Sequence, residues 1–169
     1  RFELPLTVKK TRIDGVECAG LNNIQRHGAN FHAWENDLAV GLGIGYYARK
    51  WSNATLSETA DGILSLFLAA PRKNGAFPCI YNFNTAAYEG TLHWTARAAD
   101  SVKGYDTGAM GVSAWWLLYW DEILSPGDEC RSSVLEYSRF LEKAQLPSGA
   151  VPTYFFQDLK PAKQLSESA

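Results

Sequence analysis

Two stretches of this chain, Asn74-Gly75-Ala76-Phe77-Pro78 and Ser148-Gly149-Ala150-Val151-Pro152, write the same Gly-Ala-apolar-Pro order 74 residues apart. At that shift Ile63, Phe67 and Ala70 fall on Tyr137, Leu141 and Ala144. Each copy follows a helical run, so the repeated unit is helix, tight turn, helix and Gly/Pro loop. One such hairpin cannot bury its apolar side alone, and neighbours must stack on it. The expected fold class is therefore mainly α, built of repeated helical hairpins.

The first helix is expected over 33–51, with Gly41, Gly43 and Gly45 at alternate positions. Each glycine costs a helix about 1 kcal/mol relative to Ala, which implies close approach of another backbone or side chain. Thr55-Leu56-Ser57-Glu58 has the form of a capping box opening a second helix that runs to about Ala70, before Pro71. A third helix starts at Asp106, and Ser125-Pro126-Gly127-Asp128 supplies a cap, a first-turn Pro and an acid for a fourth helix ending at Gln145. In the fourth, Val134, Leu135, Tyr137, Leu141 and Ala144 make a one-sided apolar stripe. The first and third are apolar or small nearly all round, which predicts burial on every side. They form the expected inner layer, and the second and fourth the outer one. Trp115, Trp116 and Trp120 then belong to the core.

Residues 1–30 read differently. β-type alternation on either side of Lys9-Lys10-Thr11-Arg12, with the turn signal Asp14-Gly15, predicts a short hairpin or an extended arm, and the helical array occupies 31–169. The array reads as incomplete at its C-terminal end, either an excerpt of a longer one or a unit completed by association.

With 169 residues, 46% of them hydrophobic, the chain can bury a substantial core. A net charge of −2 with interspersed signs offers no basic stripe for nucleic acid, and no apolar run reaches the roughly 18 residues of a membrane span. Cys18, Cys79 and Cys130 are widely spaced without a C-x-x-C pair and read first as buried thiols, with one disulfide as the alternative. Gly41-Leu42-Gly43-Ile44-Gly45 lies inside a helix with no strand before it, so it is a packing feature rather than a phosphate loop.

Short turns lead from inner to outer helices and long segments lead back, so both inner helices start at the end that carries the long segments. His32, Trp34, Glu35, Asp37, His93, Trp94, Tyr105 and Asp106 all fall there. Indole and phenol faces stack on pyranose rings, while carboxylates and imidazoles take hydroxyls, so this rim suits an oligo- or polysaccharide. His27 and His32 are not on one helical face, and no metal or other cofactor is expected.

Inner helices "ENDLAVGLGIGYYARKW" and "YDTGAMGVSAWWLLYWDEI", with "NGAFP" and "SGAVP" loops, resemble the six-hairpin (α/α) toroid superfamily of carbohydrate-active enzymes over about residues 27–169. The resemblance implies glycan hydrolysis or β-elimination, with acidic residues at inner-helix starts as catalysts: here Asp106, paired with Glu35 or Asp37. It leaves Trp34, His32, His93, Trp94 and Tyr105 to hold substrate, and an extracellular or periplasmic setting follows if that substrate is a polysaccharide. Two hairpins do not close a ring of six, so further hairpins or self-association are implied. Asp106 before Thr-Gly-Ala reads equally as an N-cap, and Glu35 and Asp37 equally as charges favoured at a helix start. A binding module without catalysis is the second reading. A cyclase of the same architecture is disfavoured by the absence of a D-x-D-D-like run and of zinc ligands.

Overall fold

The computed structural model describes residues 8–21, 30–32, 37–90 and 104–162. It opens on an antiparallel ribbon, β1 (Val8–Ile13) and β2 (Val16–Leu21), in which Ile13 faces Val16 across a two-residue turn. Asp14 and Gly15 both have positive φ, 49° and 84°, as the turn matching the twist of a ribbon demands. Lys9-Lys10-Thr11-Arg12 is therefore strand and not connection, because none of these residues favours positive φ. The ribbon is no projecting arm: Cys18 and Ala19 are buried against the helical body.

Helices α1 (Leu38–Trp51) and α2 (Ala54–Leu68) form the first hairpin. Ser52, at φ 51°, ends α1, and the Asn53 side chain accepts a hydrogen bond from Leu56 N at 3.1 Å to open α2. The cap is thus Asn53 rather than the expected box at Thr55, since Asn reaches the orphan amides of the first turn two residues earlier. The second hairpin is α3 (Thr107–Leu124) and α4 (Glu129–Ala144). Ser125 does not open α4. It closes α3 in the left-handed conformation (φ 44°), donating from its amide to Trp120 and Asp121 carbonyls, and Gly127 at φ 120° keeps Pro126 outside the next helix.

Each hairpin is sealed by the same strand pairing. β3 (Asn30–His32) pairs with β4 (Ile80–Asn82), Phe31 opposite Tyr81 and His32 opposite Ile80; β4 also pairs with β5 (Ala87–Glu89). β6 (Tyr105–Asp106) pairs with β7 (Tyr154–Phe155), Tyr105 opposite Phe155 and Asp106 opposite Tyr154. Moving the four residues of the first set along by 74 gives the four of the second. The Gly-Ala-apolar-Pro stretch is thus the turn that brings the chain back from the outer helix to the strand preceding the inner one.

The described helices form two layers. The Trp120 indole N–H donates to Leu38 O at 3.0 Å, and the Arg49 guanidinium donates to Ile123 O at 3.0 Å and to Leu124 O. These contacts advance in the same direction along α1 and α3, so the two run parallel. The first residue of α1 lies beside Trp120, the fourteenth residue of α3, so the two helix starts are not level, contrary to the expectation from sequence. A Cβ on Gly41 would lie 2.9 Å from Ile63 and 3.1 Å from Trp120, and one on Gly45 would lie 2.6 Å from Leu124. Close approach explains those two glycines, whereas Gly43 faces open space. Gly41→Ala is expected to destabilise by about 1–2 kcal/mol through overpacking, and Gly43→Ala to stabilise by up to about 1 kcal/mol through helix propensity. Urea titration of both variants in dilute solution measures the difference, and equal midpoints would contradict it.

Leu38, Ile63, Phe67, Phe77, Met110 and Trp120 are at the centre of the core. α4 presents Cys130, Ser133, Tyr137 and Phe140 inward, leaving Leu135 of the expected stripe exposed. The inner helices are not buried all round. α1 exposes Val40, Tyr46, Tyr47 and Trp51, and α3 exposes Val112, Trp115, Leu118, Tyr119 and Ile123. Trp120 is core as expected, but Trp115 is 51% exposed and Trp116 half-buried. Two hairpins cover only the faces that meet each other or the outer layer. The three cysteines are free and buried. Among the described residues no helix is long and apolar enough to cross a membrane.

Candidate functional site

A cleft of about 380 Å³ opens between the strand segments of the two units. Thr85, Tyr88, Glu89 and Gly90 of the first unit form one side, Gly104, Tyr105 and Gln157 of the second form the other, and Pro71 and Pro78 contribute below. The volume falls within the about 300–1,000 Å³ usual for small-ligand sites.

Successive residues of a strand point to opposite faces, and β6 uses this to separate its two polar side chains. Tyr105 lines the cleft. Asp106 turns toward the first turn of α3, where its Oδ1 accepts from Ala109 N at 3.0 Å. This helix start is held firmly: Thr107 Oγ1 donates to Pro152 O at 3.0 Å, Thr107 N to Thr153 O at 3.0 Å, and Tyr137 Oη to Thr107 O at 2.7 Å. A cap of this kind is worth about 0.5–2 kcal/mol.

On the opposite wall, Glu89 Oε1 accepts from Asn82 Nδ2 at 2.8 Å and from Thr85 Oγ1 at 3.4 Å, which orients its carboxylate. Tyr88 is anchored by its hydroxyl donating to Leu66 O. Burial raises the pKa of both phenols, so Tyr88 and Tyr105 stay protonated at neutral pH and act as neutral hydrogen-bonding groups. Burial likewise pushes the Cys79 thiol, beneath this region, up to about 12, which makes it inert as a nucleophile. Glu89 is the charged side chain among the described lining residues. Lys73 lies beside the cleft, its ammonium donating to Gln157 O at 2.7 Å.

Of the sequence-level candidates, Tyr105 is on the cleft and Asp106 is directly behind it as a cap. The strand repeat gives His32 the position in the first unit that Asp106 holds in the second, and its backbone pairs with Ile80. Asp37 is buried, 2% exposed, immediately before α1. It therefore lies five residues further along its unit than His32, the counterpart of Asp106. Trp34, Glu35, His93 and Trp94 lie outside the described residues, as does the side chain of His32. Glu89, Tyr88 and Gln157 were not among the candidates. The signal for the first two was the hairpin-like "IYNFNTAAYE", two short apolar runs around Asn-Phe-Asn-Thr.

Comparisons with protein-family models, with curated proteins and with solved structures give no match.

Proposed function

We propose that this chain is the two-hairpin part of a glycan-processing protein of the six-hairpin (α/α) toroid type, and that the cleft between its strand segments receives a sugar. The observation that carries the reading is the make-up of that cleft: the phenols of Tyr88 and Tyr105, the oriented carboxylate of Glu89 and the amide of Gln157 on facing walls. The phenol rings offer flat faces for the C–H side of a pyranose and Tyr105 a hydroxyl for its oxygens, that of Tyr88 being held by Leu66 O, while the carboxylate accepts from sugar hydroxyls. In the hydrolase form of the proposal Asp106 is paired with Glu35 or Asp37 as acid and base, a pairing that requires carboxyl groups about 5 Å apart for retention or about 6.5–9.5 Å apart for inversion. The contact of Leu38 with Trp120, well along α3 from Asp106, counts against Asp37 as that partner. Elimination is the variant in which Tyr105, kept protonated by burial, serves as the proton donor.

A second reading, a carbohydrate-binding module without turnover, is favoured by one specific observation: the Asp106 carboxylate is engaged by Ala109 N, the ordinary use of such a residue. Titration with a panel of neutral and acidic oligosaccharides, followed by product analysis, separates the two. Saturable binding that weakens about tenfold or more in Tyr105→Ala, equivalent to about 1.4 kcal/mol, is expected. Loss of product in Asp106→Asn and Glu35→Gln with folding intact supports hydrolysis; binding without product in the parent chain supports the module. No saccharide binding, or none sensitive to Tyr105→Ala, would remove the proposal.

A further inference from the structure

We propose that the exposed aromatic faces of α1 and α3 are a docking surface for a second copy of this chain, with α1 of one protomer laid on α3 of its partner about a twofold axis. This inference is independent of the sugar site, and of the two ways of completing the array it takes self-association rather than further hairpins of the same polypeptide as what covers these faces.

Size is the first argument. Tyr46, Tyr47, Trp51, Trp115 and Tyr119 are 37–61% exposed. Aromatics bury about 150–250 Å² each, so this group alone offers roughly 400–600 Å². The exposed Val40, Val112, Leu118 and Ile123 bring the total toward the about 800 Å² that each partner contributes to a standard interface. Patches on a protein that stays monomeric are typically about 300–600 Å² at most.

Preorganisation is the second. Tyr47 stacks on Trp51 with centroids 4.7 Å apart, and Trp115 meets Tyr119 edge-on at 5.1 Å. Anchors already held against one another lose little freedom on docking. Gly43, which internal packing leaves unexplained, lies in the same stripe of α1 with open space above it, a depression for an aromatic ring from outside.

Charge is the third. Lys50 on the exposed side of α1 and Glu122 on the exposed side of α3 carry opposite signs. In an isologous interface each residue meets its counterpart's surroundings twice, so crossing α1 with the partner's α3 forms this pair on both sides of the axis.

Sedimentation velocity of the 18.7 kDa chain tests it. The expected species has twice that mass at micromolar concentration. Trp115→Glu and Trp51→Glu should each weaken association at least tenfold with unchanged circular dichroism, because both side chains are exposed in the monomer. Lys50→Glu and Glu122→Lys should each weaken it, and the double variant should recover. A parent chain that stays monomeric at tens of micromolar overturns the proposal, as does an assembly unaffected by Trp115→Glu. So does a longer form of the polypeptide whose additional hairpins shield these rings from acrylamide while the mass remains monomeric.

Discussion

Gly75→Ala is expected to lower the melting temperature by about 10 °C or more, the larger of two contrasting effects at equivalent places in the repeat. Gly75 has φ 91°, and a Cβ there would lie 2.1 Å from the backbone oxygen of Glu136 in α4. A left-handed conformation costs a non-glycine residue about 1–3 kcal/mol. Forcing the loop and α4 apart adds about 1–3 kcal/mol, because the obstacle is helix backbone and cannot rotate away. The sum, about 2–6 kcal/mol, corresponds at its middle to about 12 °C for a chain of this length, at about 2–4 °C per kcal/mol. Gly149 occupies the corresponding turn with φ 86°, but the nearest atom to its Cβ position is Gln145 Nε2 at 3.9 Å. Gly149→Ala should therefore cost only the conformational strain, about 1–3 kcal/mol. Scanning calorimetry of the pair checks this. Similar melting temperatures would mean that the first loop is not seated on α4.

Trp120→Ala should be as severe, at about 3–5 kcal/mol, and Trp120→Phe intermediate. The indole is 1% exposed and bridges the hairpins, filling the space opposite Gly41 and donating to Leu38 O. Truncation leaves a large cavity at the α1–α3 junction. Phe retains much of the volume and loses the hydrogen bond, for about 1–2 kcal/mol. Urea midpoints followed by circular dichroism should move down in that order. A loss below about 1 kcal/mol in Trp120→Ala would show that the two hairpins are stable without their junction.

The structure explains why the repeat was legible while its closure was not. Gly75 and Gly149 stand out because a turn needs positive φ from a particular residue, and Asp14-Gly15 announces the ribbon for the same reason. Strands of two or three residues such as β6 and β7 are too short for alternation to appear, so the pairing of Tyr105 with Phe155 had no local trace. Ser125 illustrates competition between neighbouring signals: the same residue suits the end of one helix and the start of the next, and the left-handed φ there decides for the end. Asp106 was legible as a cap because its partner, Ala109 N, is three residues away. Glu89 was not legible as part of a site, since what places it in a cleft is the approach of Tyr105 and Gln157 from the other unit.

The order of amino acids by itself determined helix-hairpin periodicity, the two glycine turns, the outer-layer character of α4 and the cap on α3, because each depends on groups within a few residues of one another. Tertiary structure decided which glycines of α1 are packed, which tryptophan is core, and where the cleft and the uncovered aromatic faces lie. Those outcomes depend on which surfaces meet, and an apolar stripe specifies that something will cover it without specifying what.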